Sequence, residues 1–149
     1  MRRILVKHIM RKNVFVFSKD ASIKDVLDAM IENNIGSVVI LDKNEKVIGI
    51  VTERDLVTKV LTKGLELDIP IKEIMSSPVI TIPPNEKVEK AAEIMTENKI
   101  KKLPVVENNK LLGIITLTDI VASGVKLEEE VLKELSNWFP VRKPSKVAG

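Results

Sequence analysis

The feature that most constrains this chain is that it is written twice. Val6-Lys7-His8-Ile9-Met10 returns 65 residues later as Ile71-Lys72-Glu73-Ile74-Met75. A period of that size marks a duplicated supersecondary unit whose apolar face needs a neighbour to cover it. The register runs on through Val14 and Val79, Asp20 and Asn85, Ile23 and Val88, Met30 and Met95, and Ile35 and Ile100. The offset then falls to 64, because the turn Asp42-Lys43-Asn44-Glu45 has shortened to Glu107-Asn108-Asn109. Such a change is tolerated at a hairpin tip. The repeats therefore span 6–64 and 71–124, and 125–149 stand outside them.

Each copy reads as strand, helix, strand, strand, helix. Val14 to Phe17 and Val79 to Ile82 are short β-branched or aromatic runs closed by turn formers. Ile23, Val26, Leu27, Met30 and Ile31 share one helical face, and Val88, Ala91, Ala92 and Met95 repeat it. Asp20 or Ser22 is the candidate N-cap of the first helix and Asn85 that of the second. Hairpins follow, Ser37–Leu41 with Val47–Val51 and Leu103–Val106 with Leu111–Ile115. A last helix starts near Glu53, with Leu56, Val57, Val60 and Leu61 expected inside and Gly64 as its stop; its counterpart starts near Thr118 and ends at Gly124. The expected fold is α/β (α+β): two three-stranded sheets, each with two helices, packed against one another.

Composition narrows the chemistry. With no Cys and one His, His8, cysteine-held metal sites, thiolate catalysis and a His-rich metal cage are excluded. Aromatic residues make up 3% of the 149, too few for base-stacking platforms. Met10, Met30, Met75 and Met95 read as core fillers. The formal charge is +3, but Lys and Glu are interleaved, as on a solvated surface. The opening MRRILVKHIM is broken by Lys7 and His8 and no apolar run reaches 18 residues, so a soluble cytoplasmic protein without a membrane anchor is expected. Leu127 to Asn137 form an amphipathic helix with Leu127, Val131, Leu132 and Leu135 on one face, packed either on its own domain or on a second subunit. Trp138-Phe139-Pro140 and a basic tail follow.

Two matched segments carry the functional signal: Gly49-Ile50-Val51-Thr52-Glu53-Arg54-Asp55-Leu56 and Gly113-Ile114-Ile115-Thr116-Leu117-Thr118-Asp119-Ile120. Each places Thr and Asp three apart where a strand gives way to a helix. One reading is purely structural, with Thr as N-cap and Asp opposing the helix dipole. The other is a nucleotide site, in which the hydroxyl and helix N–H groups meet an anion and the carboxylate accepts a ribose diol.

The lead-in Ile-Met, the hairpin ending in Gly-hydrophobic-hydrophobic-Thr and the following Asp-hydrophobic pair resemble tandem CBS domains, over Val6 to about Val121. The resemblance implies two pseudo-two-fold-related repeats with AMP, ATP or S-adenosylmethionine in the clefts. It maps ribose-binding carboxylates to Asp55 and Asp119, phosphate-contacting hydroxyls to Thr52, Thr116 and Thr118, and a base pocket to Thr81, Ile82, Ile100 and Pro104 or to Val16, Phe17, Ile35 and Val38. Lys101 and Lys102 match a position where basic residues meet phosphate, whereas the first copy has Gly36 and Ser37 there with Arg54 nearby. On this reading the Asp119 cleft binds a phosphorylated ligand more tightly than the Asp55 cleft.

A ligand-sensing regulatory module, paired as a homodimer and read by a partner protein, is therefore expected, with no catalysis and no required cofactor. The alternatives are an oligomeric adaptor with vestigial clefts, marked by the C-terminal helix, and a nucleic-acid binder, marked by a steep salt dependence. An enzyme is the least supported reading, since a Thr-x-x-Asp pair offers no general base tuned near neutral pH.

Overall fold

The structure, a computed structural model, describes residues 3–138. Phe139, Pro140 and the basic tail lie outside the described residues, as does the side chain of Trp138. The first repeat contains α1 (Val6–Ile9), β1 (Val16–Ser18), α2 (Ile23–Glu32), β2 (Ser37–Leu41), β3 (Val47–Thr52) and α3 (Glu53–Asp55), which runs on as a π-helix over Leu56–Leu61. A 3-10 turn at Ile71–Glu73 opens the second, followed by α4 (Val88–Asn98), β4 (Lys102–Glu107), β5 (Lys110–Thr116) and α5 (Leu117–Ala122). The last helix, α6, covers Glu129–Trp138.

Strands β1, β2 and β3 form a mixed sheet in that order, β1 parallel and β3 antiparallel to β2. The second sheet has two strands, β4 and β5, where three were expected. Its would-be first strand survives as one parallel bridge, with Ile82 N–H donating to the Pro104 carbonyl and Val106 N–H to the Ile82 carbonyl. Pro83 and Pro84 follow at once and have no N–H to continue the ladder.

The two apolar cores do not follow the boundaries of the sequence repeats. One contains Ile23, Val26, Met30, Val38, Ile40, Val51, Leu56 and Val60 from the first repeat, together with Ile71 and Ile74 from the lead-in of the second. The other contains Val88, Ala91, Ala92, Met95, Leu103, Ile115 and Ile120 together with Val6 from the lead-in of the first. The lead-ins are therefore exchanged, and repeat-matched backbone bonds fix them. Ile71 N–H donates to Ala21 O (2.7 Å), Lys72 N–H to Lys19 O (3.1 Å) and Ile23 N–H to Ile69 O (2.9 Å). In the other core Val6 N–H donates to Glu86 O (2.8 Å), Lys7 N–H to Pro84 O (2.9 Å) and Val88 N–H to Ile4 O (3.2 Å). Each fully buried Ile or Val in these segments contributes about 2 kcal/mol of apolar burial.

Several sequence expectations change in detail. Ser22 caps α2, its hydroxyl accepting from Asp25 N–H at 3.1 Å, but Asn85 does not cap α4, whose N-cap position holds Lys87, a side chain that cannot accept. Ile31, Val57 and Leu61, expected inside, are 71%, 53% and 75% exposed. Leu56 and Val60 are on the core face of the π-helix, whereas Val57 and Leu61 lie beside it on the solvent side. Helix α6 packs on α4 of its own chain, with Leu135 buried and Leu127 and Val131 partly so, but Leu132 is half exposed.

The glycines of the two Gly-hydrophobic-hydrophobic-Thr segments are required by the exchange. A Cβ on Gly49 would lie 2.5 Å from the Met75 sulfur, and one on Gly113 would lie 2.6 Å from the Arg11 carbonyl oxygen. A thioether can swing aside, whereas a backbone carbonyl held in a bridge cannot. We therefore expect Gly113→Ala to destabilise the fold by about 2 kcal/mol and Gly49→Ala by clearly less, checked by urea denaturation.

Candidate functional site

Both Thr-x-x-Asp segments cap the helices they precede. Thr52 Oγ1 accepts from Asp55 N–H (3.4 Å) while Thr52 N–H donates to Asp55 Oδ2 (2.9 Å), a reciprocal capping box. Thr116 Oγ1 accepts from Asp119 N–H at 3.1 Å. The N–H groups of Glu53 and Leu117 are taken by the carbonyls of Gly36 (3.2 Å) and Lys101 (2.8 Å). The helix starts are thus largely satisfied from within, and what faces the clefts is side chains.

A cleft of about 1020 Å³ opens between the repeats. From the first repeat it is lined by Gly36, Ile50, Thr52, Glu53, Arg54, Asp55 and Lys59, and from the second by Ser76, Val79, Ile80, Ile100, Lys101, Lys102 and Pro104. Here one expectation is corrected. Lys101, Lys102, Ile100 and Pro104 were assigned with Asp119, but they line the cleft that holds Asp55. Lys102 does stand opposite Thr116 in the β4–β5 register, but its long side chain crosses the interface. A Cβ on Gly36 would be 3.0 Å from Lys102 Nζ and 3.3 Å from Glu53 Oε1. Gly36 is thus the space into which the second repeat's cation reaches.

The base-wall assignment is also corrected. Ile82 and Val38 are core residues at 1% and 0% exposure, because strand alternation turns them inward. Thr81 is exposed away from the cleft, whose wall is made instead by neighbours Val79 and Ile80. Phe17 and Ile35 pack against the first core, and Val16 lines a separate 660 Å³ cavity between the hairpin tips. Ser37 lies half-buried at the start of β2 opposite Thr52. Thr116, Thr118 and Asp119 line neither cavity.

Asp55 is buried and fully engaged. Its Oδ1 takes the ammonium of Lys59 (2.9 Å) and the hydroxyl of Ser76 (3.1 Å), and its Oδ2 takes Thr52. Lys59 also donates to the Ile74 carbonyl at 3.0 Å. Neither Lys59 nor Ser76 was singled out from sequence. An acid four residues before a lysine on a helix is a readable signal for the first, but Ser76 reaches Asp55 only because the lead-ins are exchanged.

Asp119 is held differently. Arg11 lays Nε (3.2 and 3.1 Å) and Nη2 (2.9 Å) across its two oxygens. Partial burial pushes the Asp119 carboxyl up, but the hydrogen bonds from Arg11 and Thr116 outweigh it and hold the group below its ordinary value. Lys102, desolvated between the repeats, is pushed down, with Glu53 and Asp119 opposing that shift and Arg11 adding to it. His8 accepts from Leu5 N–H through Nδ1, away from either carboxylate. Among the described residues no group of three His, Asp or Glu is placed to hold a metal ion, and no helix is long and apolar enough to cross a membrane.

An interleaved pair of α/β repeats with a cleft of apolar walls and charged side chains between them has the architecture of a two-repeat ligand-binding module. The family model of the CBS domain matches residues 6–62 and 71–125, and the chain belongs to that family. An uncharacterized protein of Methanopyrus kandleri is 41% identical over 140 residues, covering 93% of this chain and 71% of the relative. A CBS domain pair solved in complex with 5'-methylthioadenosine and S-adenosyl-L-methionine is 31% identical, with a TM-score of 0.75 over 83% of this chain and 97% of that one. A hexameric CBS-CP12 protein from bloom-forming cyanobacteria is 30% identical, with a TM-score of 0.74 over 80% of this chain and 67% of that one. CBS pairs are regulatory ligand-binding modules.

The native Asp119 carboxyl titrates below its unfolded value, so its contribution to stability is complete above about pH 4 and fades as pH falls through the lowered native value. Asp119→Asn should therefore flatten the loss of stability below about pH 4, measured by denaturation at stepped pH.

Proposed function

We propose that this protein is a regulatory sensor that binds a phosphorylated adenosine in the Asp55 cleft and catalyses nothing. The observation that carries this reading is the composition of the 1020 Å³ cleft, which joins three chemically distinct walls. Asp55 with Thr52 provides acceptors for a ribose diol. Ile50, Val79, Ile80, Ile100 and Pro104 provide an apolar slot for a base. Arg54, Lys101 and Lys102 provide cations for phosphate. A ligand diol takes Asp55 Oδ1 by displacing Lys59, whose ammonium keeps its bond to the Ile74 carbonyl.

Charge selects within the adenosine class. Five cationic side chains line the cleft, Arg54, Lys59, Lys99, Lys101 and Lys102, against the carboxylates Glu53 and Asp55. AMP, ADP or ATP is therefore favoured over a cationic ligand such as S-adenosylmethionine. Calorimetry of the purified protein against these four, with GTP as control, tests the reading. Micromolar binding of AMP, ADP or ATP is expected, weakened about tenfold by Asp55→Asn and again by Lys102→Ala, since each removes about one charge-assisted contact. Failure of all the adenosine ligands to bind would overturn it.

Signalling requires that ligand and reader favour the same arrangement of the repeats. The reader we propose is assembly with a second copy. Ile31, Val57, Leu61 and Val121 are large apolar residues left exposed on the helices, with Val57 and Val121 at repeat-matched positions. Light scattering should show a homodimer that Leu61→Lys shifts to monomer with nucleotide affinity intact; a monomeric wild type would exclude this readout.

A further inference from the structure

The two repeat-matched carboxylates need the same thing and obtain it from different places. Asp55 draws its cation from its own helix, Lys59, and a hydroxyl from the exchanged lead-in, Ser76. At the matching positions of the other half, Lys59 is replaced by Ser123 and Ser76 by Arg11. Ser123 turns to the Ile120 carbonyl, so the cation of Asp119 is brought by the lead-in. Ser76 ends after one hydroxyl and leaves a cleft beside Asp55, whereas Arg11 covers both oxygens of Asp119.

We propose that Arg11 is a latch that decides which ligands the Asp119 half admits, closing it to any ligand that offers only a diol. This rests on the nucleotide reading of the Asp55 cleft. A diol would replace a forked ion pair by two hydroxyl donors that carry no charge, leaving the partly buried carboxylate without a counter-ion. The exchange becomes favourable when the ligand carries a phosphate that takes the guanidinium over, a group that arginine also grips in a forked geometry. Arg11 is placed to make that move. Its side chain is 64% exposed while that of Asp119 is 15% exposed, so it caps the carboxylate from the solvent side and leaves without breaking a core. Its backbone stays anchored, N–H to the Ile114 carbonyl at 2.8 Å and carbonyl to the Ile114 N–H at 2.9 Å. The ammonium of Lys102 stays in the Asp55 cleft beside Gly36, so the guanidinium of Arg11 is the cation that such a phosphate would take.

The test uses adenosine and AMP as probes on the full chain, in wild type, in Arg11→Ser and in Arg11→Ser/Ser123→Lys, the last reproducing the first repeat's arrangement with charge conserved. Wild type is expected to take adenosine at one site per chain, weakened about tenfold by Asp55→Asn. Both Arg11 variants are expected to show a second adenosine site that survives Asp55→Asn and has at least about tenfold higher affinity there than wild type. A carbon-13 titration of Asp119 without ligand reads the latch directly, and its pKa should rise in Arg11→Ser. One adenosine site in every variant, two in wild type, or an unmoved Asp119 titration would each overturn the latch while leaving the Asp55 reading standing. Absence of adenosine and AMP binding in all proteins would overturn the nucleotide reading and this inference with it.

Discussion

The exchange of lead-in segments is the constraint on which the rest of this structure depends. A repeat of about 65 residues buries too little surface to be robust alone, and here neither repeat closes its own core. Val6 completes the second and Ile71 with Ile74 completes the first. The exchange is held by short backbone bridges, Arg11 with Ile114 and Ser76 with Ile50, which lie directly over the glycines of the two strands. Gly49 and Gly113 thus act through close approach, since a Cβ at either position would collide with the crossing segment.

That same crossing builds the site. A segment arriving from the other repeat ends beside the strand-to-helix junction, where a carboxylate stands. Residue 76 therefore faces Asp55 and residue 11 faces Asp119, each carboxylate taking one partner from the other repeat. Lys102 crossing into the space of Gly36 is a second instance of the rule. A ligand in the cleft must touch both repeats, and so is sensitive to their relative placement.

The sequence made the duplication, the order of elements, the hairpins and the two Thr-Asp caps legible because each is local: a period, an alternation, a three-residue spacing. Asp55, Thr52, Arg54, Lys101 and Lys102 were all singled out. What could not be read was their grouping. Side chains that meet across a pseudo-two-fold are set by how two sheets pack, and nothing in the spacing of Lys102 says that its ammonium passes Thr116 to reach Gly36. The cleft wall is made by Val79 and Ile80 and not by Thr81 and Ile82, two residues further on, because Ile82 is spent on the second core. The exposure of Ile31, Val57 and Leu61 was hidden because periodicity shows how wide an apolar stripe is and not how much of it neighbouring elements cover.

The divergence of the repeats follows from the cost of a partly buried carboxylate. Such a charge must be paired, and removing its partner costs far more than the pair contributes. Duplication gave two identical needs, and the cation can sit either four residues along the helix or on the incoming segment. In the first half it sits on the helix as Lys59, which leaves the incoming position small and the cleft open. In the second it sits on the incoming segment as Arg11, which relieves residue 123 of the task and covers the carboxylate instead. The core positions of the two copies remain nearly interchangeable, while the residues around the carboxylates differ in size and charge. One skeleton with two electrostatic solutions thus leaves an open cleft beside one carboxylate and a covered carboxylate in the other half.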